Sequence, residues 1–472
     1  MSSNNGAGQK KLGKLTAAER IASIVDSGSF MEIDKYVERS NAVAGYPDVS
    51  APGEGVMTGW AAIDGRPVCI VAQDYQVLKG SVGTAHAAKI VKALDMAARS
   101  GIPAVCIWDS GGARVQEGAA AVNAYASIAK KLTDISGVVP VISIAAGGML
   151  GAASLFAPLS DFTIAVEKMA EIGVYAPMIL ASSEGKPVDG DALIGAKVSE
   201  EKAANAQFAC ATEEEAIATL KKLMGYLPSN NLEESPLEAF SDDDKARAVA
   251  ADGSDTMALL KDMADDGDFF AIQPGFAPEM ITGFAYLDGL AVGFVANEAG
   301  ACLTPKGCLK AARFVRFLDA FDMPVVTIVN NGGVEVSLAQ AQSCQVRALA
   351  KLLYAYAEAG CPMVTLITGR AIGEGYVAMG NKGTGADVVY AFPNAEISAV
   401  EAEAGGIILY GGKGSAEQFR ETFASPMAAA KQGMIDDVIQ PQDARRMTIA
   451  AIDLALNKRE QKLPKKHGVM PL

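Results

Sequence analysis

IPAVCIWDSGG (102–112) and MPVVTIVNNGG (323–333) are one phrase written twice, 221 residues apart. Each is a run of apolar and β-branched residues, short enough for one buried strand, that stops at two polar residues and two glycines. Downstream, VPVISIAAGGMLGAASLFA (139–157) is echoed by CPMVTLITGRAIGEGYVAM (361–379) with a shift of 222. Upstream, VMTGWAAIDGRPVCIVAQDYQV (56–77) and ITGFAYLDGLAVGFVANE (281–298) each read as two strands around an Asp-Gly turn, at Asp64-Gly65 and Asp288-Gly289. The amphipathic stretches GTAHAAKIVKALDMAARSG (83–101) and LKAARFVRFLDAFD (309–322) follow as helices. Two shifts within one residue of each other indicate an internal duplication of a roughly 200-residue β/α unit. The fold class is therefore α/β, with two duplicated domains.

Outside the echo, LTAAERIASIVDSGSF has apolar residues at helical spacing behind Thr16, a predicted N-cap. YLPSNNLEESPLEAFSDDDKAR (226–247) is polar, acidic and marked by Pro and Asn, the expected linker. The expected domains are 1–228 and 229–472. The tail QKLPKKHGVMPL is basic and Pro-punctuated, and reads as an extended surface arm.

Half of the 472 residues are apolar, with 48 glycines, a composition suited to closely packed α/β layers. The net charge of −14 argues against a nucleic-acid surface and against docking on anionic lipid. Seven cysteines without a CxxC pair, most of them inside apolar runs, point to reduced thiols and a cytoplasmic location. The polar, basic start lacks the apolar core of a signal peptide, and no apolar stretch reaches the roughly 18–20 residues of a membrane span.

Each half has two strand-to-helix junctions rich in small residues: SGGA (110–113) and AAGGMLGAAS (145–154), then NNGG (330–333) and TGRAIGEGY (368–376). Small residues there permit close helix–strand packing. They also leave backbone N–H groups at a helix start open to an anion or to a developing oxyanion. Competing chemistries lack their residues. Only His86 and His467 are present, and His86 falls inside an amphipathic helix, where a satisfied ring is the expected state. There is no HExxH or other metal spacing, no Walker A motif, no G-x-S-x-G elbow, and no dinucleotide fingerprint after the first strand. Backbone stabilisation of an oxyanion remains as the leading kind of catalysis, with no metal.

The stretches VMTGWAAIDGRPVCIVAQDY, GTAHAAKIVKALDMA, WDSGGARVQEG and AAGGMLGAASLFAPLSDF resemble the carboxyltransferase subunit of biotin-dependent acyl-CoA carboxylases and decarboxylases. ARFVRFLDAFDMPVVTIV, AKLLYAYAEAGCPMVTLITGRA, GADVVYAFPNAEISAV and KKHGVMPL are similar to its C-terminal half. Propionyl-CoA carboxylase β and methylmalonyl-CoA decarboxylase α subunits belong to this family, and the likeness runs over residues 15–470. It implies two crotonase-like ββα-superhelix domains, an acyl-CoA-binding one at 1–228 and a biotin-side one at 229–472. It also implies a hexamer whose active sites lie between the N-domain of one subunit and the C-domain of another.

By that resemblance, the N–H groups of Gly151 and Ala152 hold the enolate of the acyl-CoA thioester. Those of Glu374 and Gly375 hold the enolate of the biotin ureido group. Gly111, Gly112, Ala113 and Arg114 line the acyl-CoA side; Gly332, Gly333, Tyr376 and Val377 line the biotin side. Three departures from the family text fall on the biotin side. Gly373-Glu374-Gly375-Tyr376 stands for Gly-Gly-Ala-Tyr or Gly-Gly-Gly-Tyr, VNNGGV (329–334) stands for Val-Asp-Val-Pro-Gly-Phe, and Val377 stands where propionyl-CoA carboxylases often carry Asp. The chain has no Ala-Met-Lys-Met biotinylation site and no ATP-grasp signature. Biotin must therefore arrive on a separate biotin carboxyl carrier protein, with a biotin carboxylase or membrane decarboxylase subunits as further partners. A malonyl-, methylmalonyl- or glutaconyl-CoA class substrate is the expectation. The alternative is a crotonase-like acyl-CoA-binding enzyme or scaffold subunit that has lost normal biotin use.

Overall fold

The computed structural model describes residues 13–38, 51–238, 247–411, 415–458 and 463–471. The chain divides into two compact units, Met1–Glu233 and Glu234–Leu472. No helix among the described residues is long and apolar enough to cross a membrane.

The first unit opens with the helix Ala17–Ile24. Its cap is Thr16, whose hydroxyl accepts from the Glu19 N–H while the Glu19 carboxylate accepts from the Thr16 N–H. The strands are β1 (Met31–Ile33), β2 (Val56–Ile63), β3 (Arg66–Gln73), β4 (Ala104–Trp108), β5 (Val141–Ala145), β6 (Gly148–Leu150), β7 (Phe162–Val166), β8 (Glu171–Gly173) and β9 (Phe208–Cys210). One sheet runs β1-β2-β3-β4-β5-β7-β9, while β6 and β8 form a separate pair. The β2–β3 hairpin is antiparallel, and the ladder from β3 to β9 is parallel. Parallel neighbours need crossovers, supplied here by the helices Thr84–Ser100 and Ala119–Ile135. The first helix stops at Gly101, whose φ of 64° is left-handed. β4 and β5 are buried at every residue. Ile90, Leu94, Ile128 and Leu132 from the two helices close over Cys106 and Trp108, each fully buried aliphatic contributing about 1.5–3 kcal/mol.

The second unit repeats the plan with β10 (Phe270–Ile272), β11 (Met280–Leu287), β12 (Leu290–Asn297), β13 (Val325–Asn331), β14 (Met363–Ile372), β15 (Val388–Ala391), β16 (Glu396–Ser398) and β17 (Asp437–Val438). Its sheet runs β10-β11-β12-β13-β14-β15-β17, and β16 pairs with the end of β14. The helices Pro305–Ala320 and Gln345–Glu358 are the crossovers.

The duplication reaches single atoms. Both hairpin turns have positive φ at both central residues, 49° and 78° at Asp64-Gly65 and 53° and 78° at Asp288-Gly289, the type I′ pattern that matches strand twist. In each unit a remote carboxylate accepts both turn N–H groups: Asp26 those of Asp64 and Gly65, Asp265 those of Asp288 and Gly289. A buried lysine sits at the same place in each crossover helix. Lys89 donates to the carbonyls of Gly53 and Val56, and Lys310 to that of Phe276.

Candidate active site

In the first unit the segment 109–114 leaves β4 and crosses the start of β6. The Ser110 N–H donates to the Gly148 carbonyl. A Cβ at Gly148 would come within 2.9 Å of the Ser110 carbonyl oxygen, and one at Gly147 would collide with the Asp109 carboxylate. These glycines are required because two backbones pass there without room for a side chain. Past β6, Gly151 takes φ 62° and starts a 3-10 turn, Gly151–Leu155, which runs into the short helix Phe156–Leu159. Gly151 and Ala152 are the first residues of that turn, so their N–H groups have no acceptor within it. Ser154 Oγ closes the turn by donating to the Gly151 carbonyl, 2.7 Å away. A Cβ at Gly151 would meet nothing within 4 Å, so open space lies in front of the turn. Ala152 and Leu155 are exposed, as are Gly111, Ala113 and Val115 on the neighbouring loop.

The second unit brings its predicted residues together in the same way. Arg370 N–H donates to Asn330 Oδ1 at 3.0 Å, tying β14 to the end of β13. Gly373 takes φ 51° and starts the turn Gly373–Val377. With the shift of 222 residues, Gly373 is therefore the counterpart of Gly151, and Glu374 that of Ala152. A Cβ at Gly375 would lie 2.7 Å from Asn331 Oδ1 and 2.8 Å from the Gly333 Cα. An alanine at this position cannot stand against Asn331 as placed here, so of the two family forms only the one with glycine fits beside the NNGG loop. Glu374 and Val377 are exposed, and Tyr376 is buried. The Tyr376 hydroxyl and the Gln345 Nε2 find no partner among the described residues. The helix bearing Gln345 packs against the turn bearing Tyr376. Burial pushes the Tyr376 phenol well above its ordinary range, so it stays protonated and able to donate.

Three expectations need correction. The SGGA and NNGG junctions are not helix starts, since the helices that follow begin at Ala119 and Leu338. Their glycine N–H groups are already used: Gly111 donates to the Lys79 carbonyl, Gly112 to Ser110 Oγ, Gly332 to the Ala301 carbonyl and Gly333 to Asn331 Oδ1. These four residues shape the loops and do not offer free donors. Arg114, expected to line the acyl-CoA side, is 3 % exposed. Its guanidinium pairs with the Glu54 carboxylate and donates to the Ser81 carbonyl at 3.1 Å, so it anchors the loop from inside.

Sequence reasoning missed the group beneath the first loop. Asp109 is fully buried, 2.8 Å from Arg20 Nη1 and 3.2 Å from Lys14 Nζ. Arg20 also reaches Glu213 at 2.5 Å. Gln73 accepts the Asp109 N–H and leads to His86, whose ring is satisfied as expected. The one available signal was Gln73 itself, a polar residue closing an apolar hairpin, with Asn297 at the same place in the echo.

With this geometry in place, likeness to known proteins can be stated. The carboxyl transferase domain family profile matches residues 8–470. The chain is 38% identical over 489 residues to the methylmalonyl-CoA decarboxylase subunit alpha of Veillonella parvula, covering 99% of this chain and 96% of that one. It is 37% identical over 504 residues to the propionyl-CoA carboxylase beta chain of Saccharopolyspora erythraea, covering 99% and 92%. Among solved structures, transcarboxylase 12S superposes with a TM-score of 0.93 at 33% identity over 100% of this chain and 95% of that one. That crystal structure is described as a hexamer assembly with hydrolysed methylmalonyl-coenzyme A bound. Duplicated α/β units, paired glycine turns and likeness over the whole length lead to one conclusion: the chain belongs to the carboxyl transferase domain family.

Proposed function

We propose that the protein moves a carboxyl group between a short acyl-CoA of the malonyl-, methylmalonyl- or glutaconyl-CoA class and biotin held on a carrier protein. The observation that carries this reading is the pair of left-handed glycines, Gly151 and Gly373, at one position of the duplicated unit, each opening a turn whose first N–H groups have no acceptor within it. Charge that develops on an oxygen in front of such a turn meets donors already in place, and nothing need reorganise as the reaction proceeds. In the first unit Gly151 and Ala152 hold the thioester oxygen as the α-carbon becomes an enolate. The fixed loop 109–114 supports that turn from the side. When bound, biotin supplies the ureido nitrogen that gives or receives the carboxyl group. The residues of the second unit fit such a group. The Glu374 and Gly375 N–H groups face an anionic oxygen, and the orphaned Tyr376 hydroxyl and Gln345 amide are buried donors awaiting an acceptor. Partner subunits supply the biotin carrier and either a biotin carboxylase or a membrane decarboxylase, and the working form is a homo-oligomer, a hexamer by family likeness.

Purified chain incubated with free biotin and each malonyl-type thioester tests the reading. Carboxyl transfer or decarboxylation with at least one of them is expected; activity with none sinks it. One observation favours a second reading. The exposed Glu374 places a carboxylate at the start of the second turn, where it takes the favourable site for a ligand anion. A crotonase-like acyl-CoA-binding enzyme or scaffold without biotin use would show CoA binding but retain no biotinylated protein in a pull-down.

A further inference from the structure

One chain of buried side chains fastens both ends of the loop 109–114. The Asp109 N–H donates to Gln73 Oε1 at 3.0 Å, Gln73 Nε2 lies 3.3 Å from His86 Nε2, and His86 Nδ1 lies 2.8 Å from the Glu54 carbonyl oxygen. The Glu54 carboxylate then pairs with Arg114, where the loop ends. None of these five residues is more than 3 % exposed.

The two ends of the chain dictate every role inside it. A backbone N–H can only donate, so Gln73 turns its oxygen to Asp109 and its NH₂ to His86. A carbonyl can only accept, so His86 carries its proton on Nδ1 and leaves Nε2 to accept from Gln73. A second ring proton would set N–H against NH₂ with no acceptor between them. The relay therefore works with one tautomer of one neutral ring.

Among the described residues the second unit has no such chain. Asn297 takes the place of Gln73 and its side chain bonds to Asn330 and Glu298, Gly307 stands where His86 would be, and Glu335, the counterpart of Arg114, is exposed. Residues 330–333 are held instead by direct bonds to Asn297, Gly253, Arg370 and Ala301, with no histidine between them.

We propose that His86 is a positioning residue for the acyl-CoA side of the site: by bridging Gln73 and Glu54 it fixes the loop 109–114 against the turn that begins at Gly151. The assignment of that side rests on the proposed carboxyl transfer, whereas the bridging does not. His86→Ala should speed hydrogen exchange at the backbone amides of 109–114 by about tenfold, with those of 330–335 unchanged. In the same variant KM for methylmalonyl-CoA should rise about tenfold, with KM for free biotin within about twofold of the parent. Unchanged exchange at 109–114, or equal shifts in both KM values, overturns the proposal.

Gln73→Glu covers the case of an alanine variant that does not fold. It keeps an acceptor for the Asp109 N–H, removes the donor to Nε2 and sets a carboxylate beside the ring. With two histidines in the chain, the His86 ring signal in NMR is readily assigned. It should begin to titrate in the accessible range in this variant and stay flat in the parent; a flat signal in both overturns the proposal. If the parent chain transfers no carboxyl group, carboxyl transfer fails as a reading, while the exchange and NMR results still decide the role of His86.

Discussion

Segments 109–114 and 330–335 occupy the same place in the repeat and are held by different forces. In the first, a buried carboxylate, Asp109, sits between Arg20 and Lys14. In the second, the equivalent residue is Asn330. Its amide oxygen accepts the Arg370 N–H, its amide nitrogen donates to the Gly253 carbonyl, and its own N–H reaches Asn297. Both solutions satisfy a polar group inside a glycine-lined crossing, but they respond differently to perturbation. A buried ion pair contributes little net stability while intact and leaves an uncompensated charge when one partner goes. A neutral amide network loses only the hydrogen bonds removed. The first turn is the one proposed to meet the acyl-CoA, and it is the one whose supporting loop depends on a buried ion pair.

The largest expected effect strikes that contrast directly. Arg20→Met leaves Asp109 and Glu213 buried without their shared cation and should cost about 3–5 kcal/mol in chemical denaturation. Asn330→Ala should cost about 1–3 kcal/mol. Equal losses would erase the distinction between the two loops. Next, Gly151→Val pushes a side chain into the open space before the first turn and forces a β-branched residue to φ 62°. Turnover should fall about 10²–10³-fold with the chain still assembled, and a near-normal rate would remove Gly151 from the site.

Acid separates the units at a smaller scale. Burial, helped by the nearby Arg114 and Lys89 cations, pushes His86 down from 6.5 to about 3, against the raising effect of its bond to the Glu54 carbonyl. Above 6.5 neither state is charged there, and stability is flat. As pH falls from 6.5 toward 3 the unfolded chain takes a proton that the native ring refuses, so stability drops, by about 2 kcal/mol at pH 5 relative to pH 7. Denaturation of His86→Gln across this range should lose that slope; a slope that persists assigns it to other groups. The smallest effect belongs to the second turn. Glu374→Gly should raise turnover with free biotin by less than about tenfold, and unchanged turnover would show that its carboxylate has no part in ligand binding.

The hairpins, the crossover helices and the duplication were legible because each depends on local pattern: a β-branched run, an Asp-Gly pair, an apolar stripe. The pairing of SGGA with AAGGML, and of NNGG with GEGY, was legible as a repeat of small residues. The use of their N–H groups was not. Gly111 gives its proton to Lys79 and Gly332 to Ala301, partners some thirty positions away that only the folded crossing brings near. The same holds for Asp26 and Asp265, which cap turns 38 and 23 residues downstream. Arg114 was misread for a related reason. An arginine in a polar loop reads as surface, and nothing local announces that Glu54 lies beneath it. Glu374 stands out in the sequence, but the contact of its neighbour Gly375 with Asn331 does not.

That contact has a historical consequence. With Asn331 Oδ1 2.7 Å from where an alanine Cβ at 375 would stand, a chain that carries Asn331 in this place accepts glycine at 375 and not alanine. A lineage that began with Gly-Gly-Ala-Tyr must lose the methyl group before, or together with, acquiring Asn331, whereas one that began with Gly-Gly-Gly-Tyr meets no such order. Residues 329–334 and 375 are therefore to be exchanged together when chimaeras with relatives that carry alanine at 375 are built.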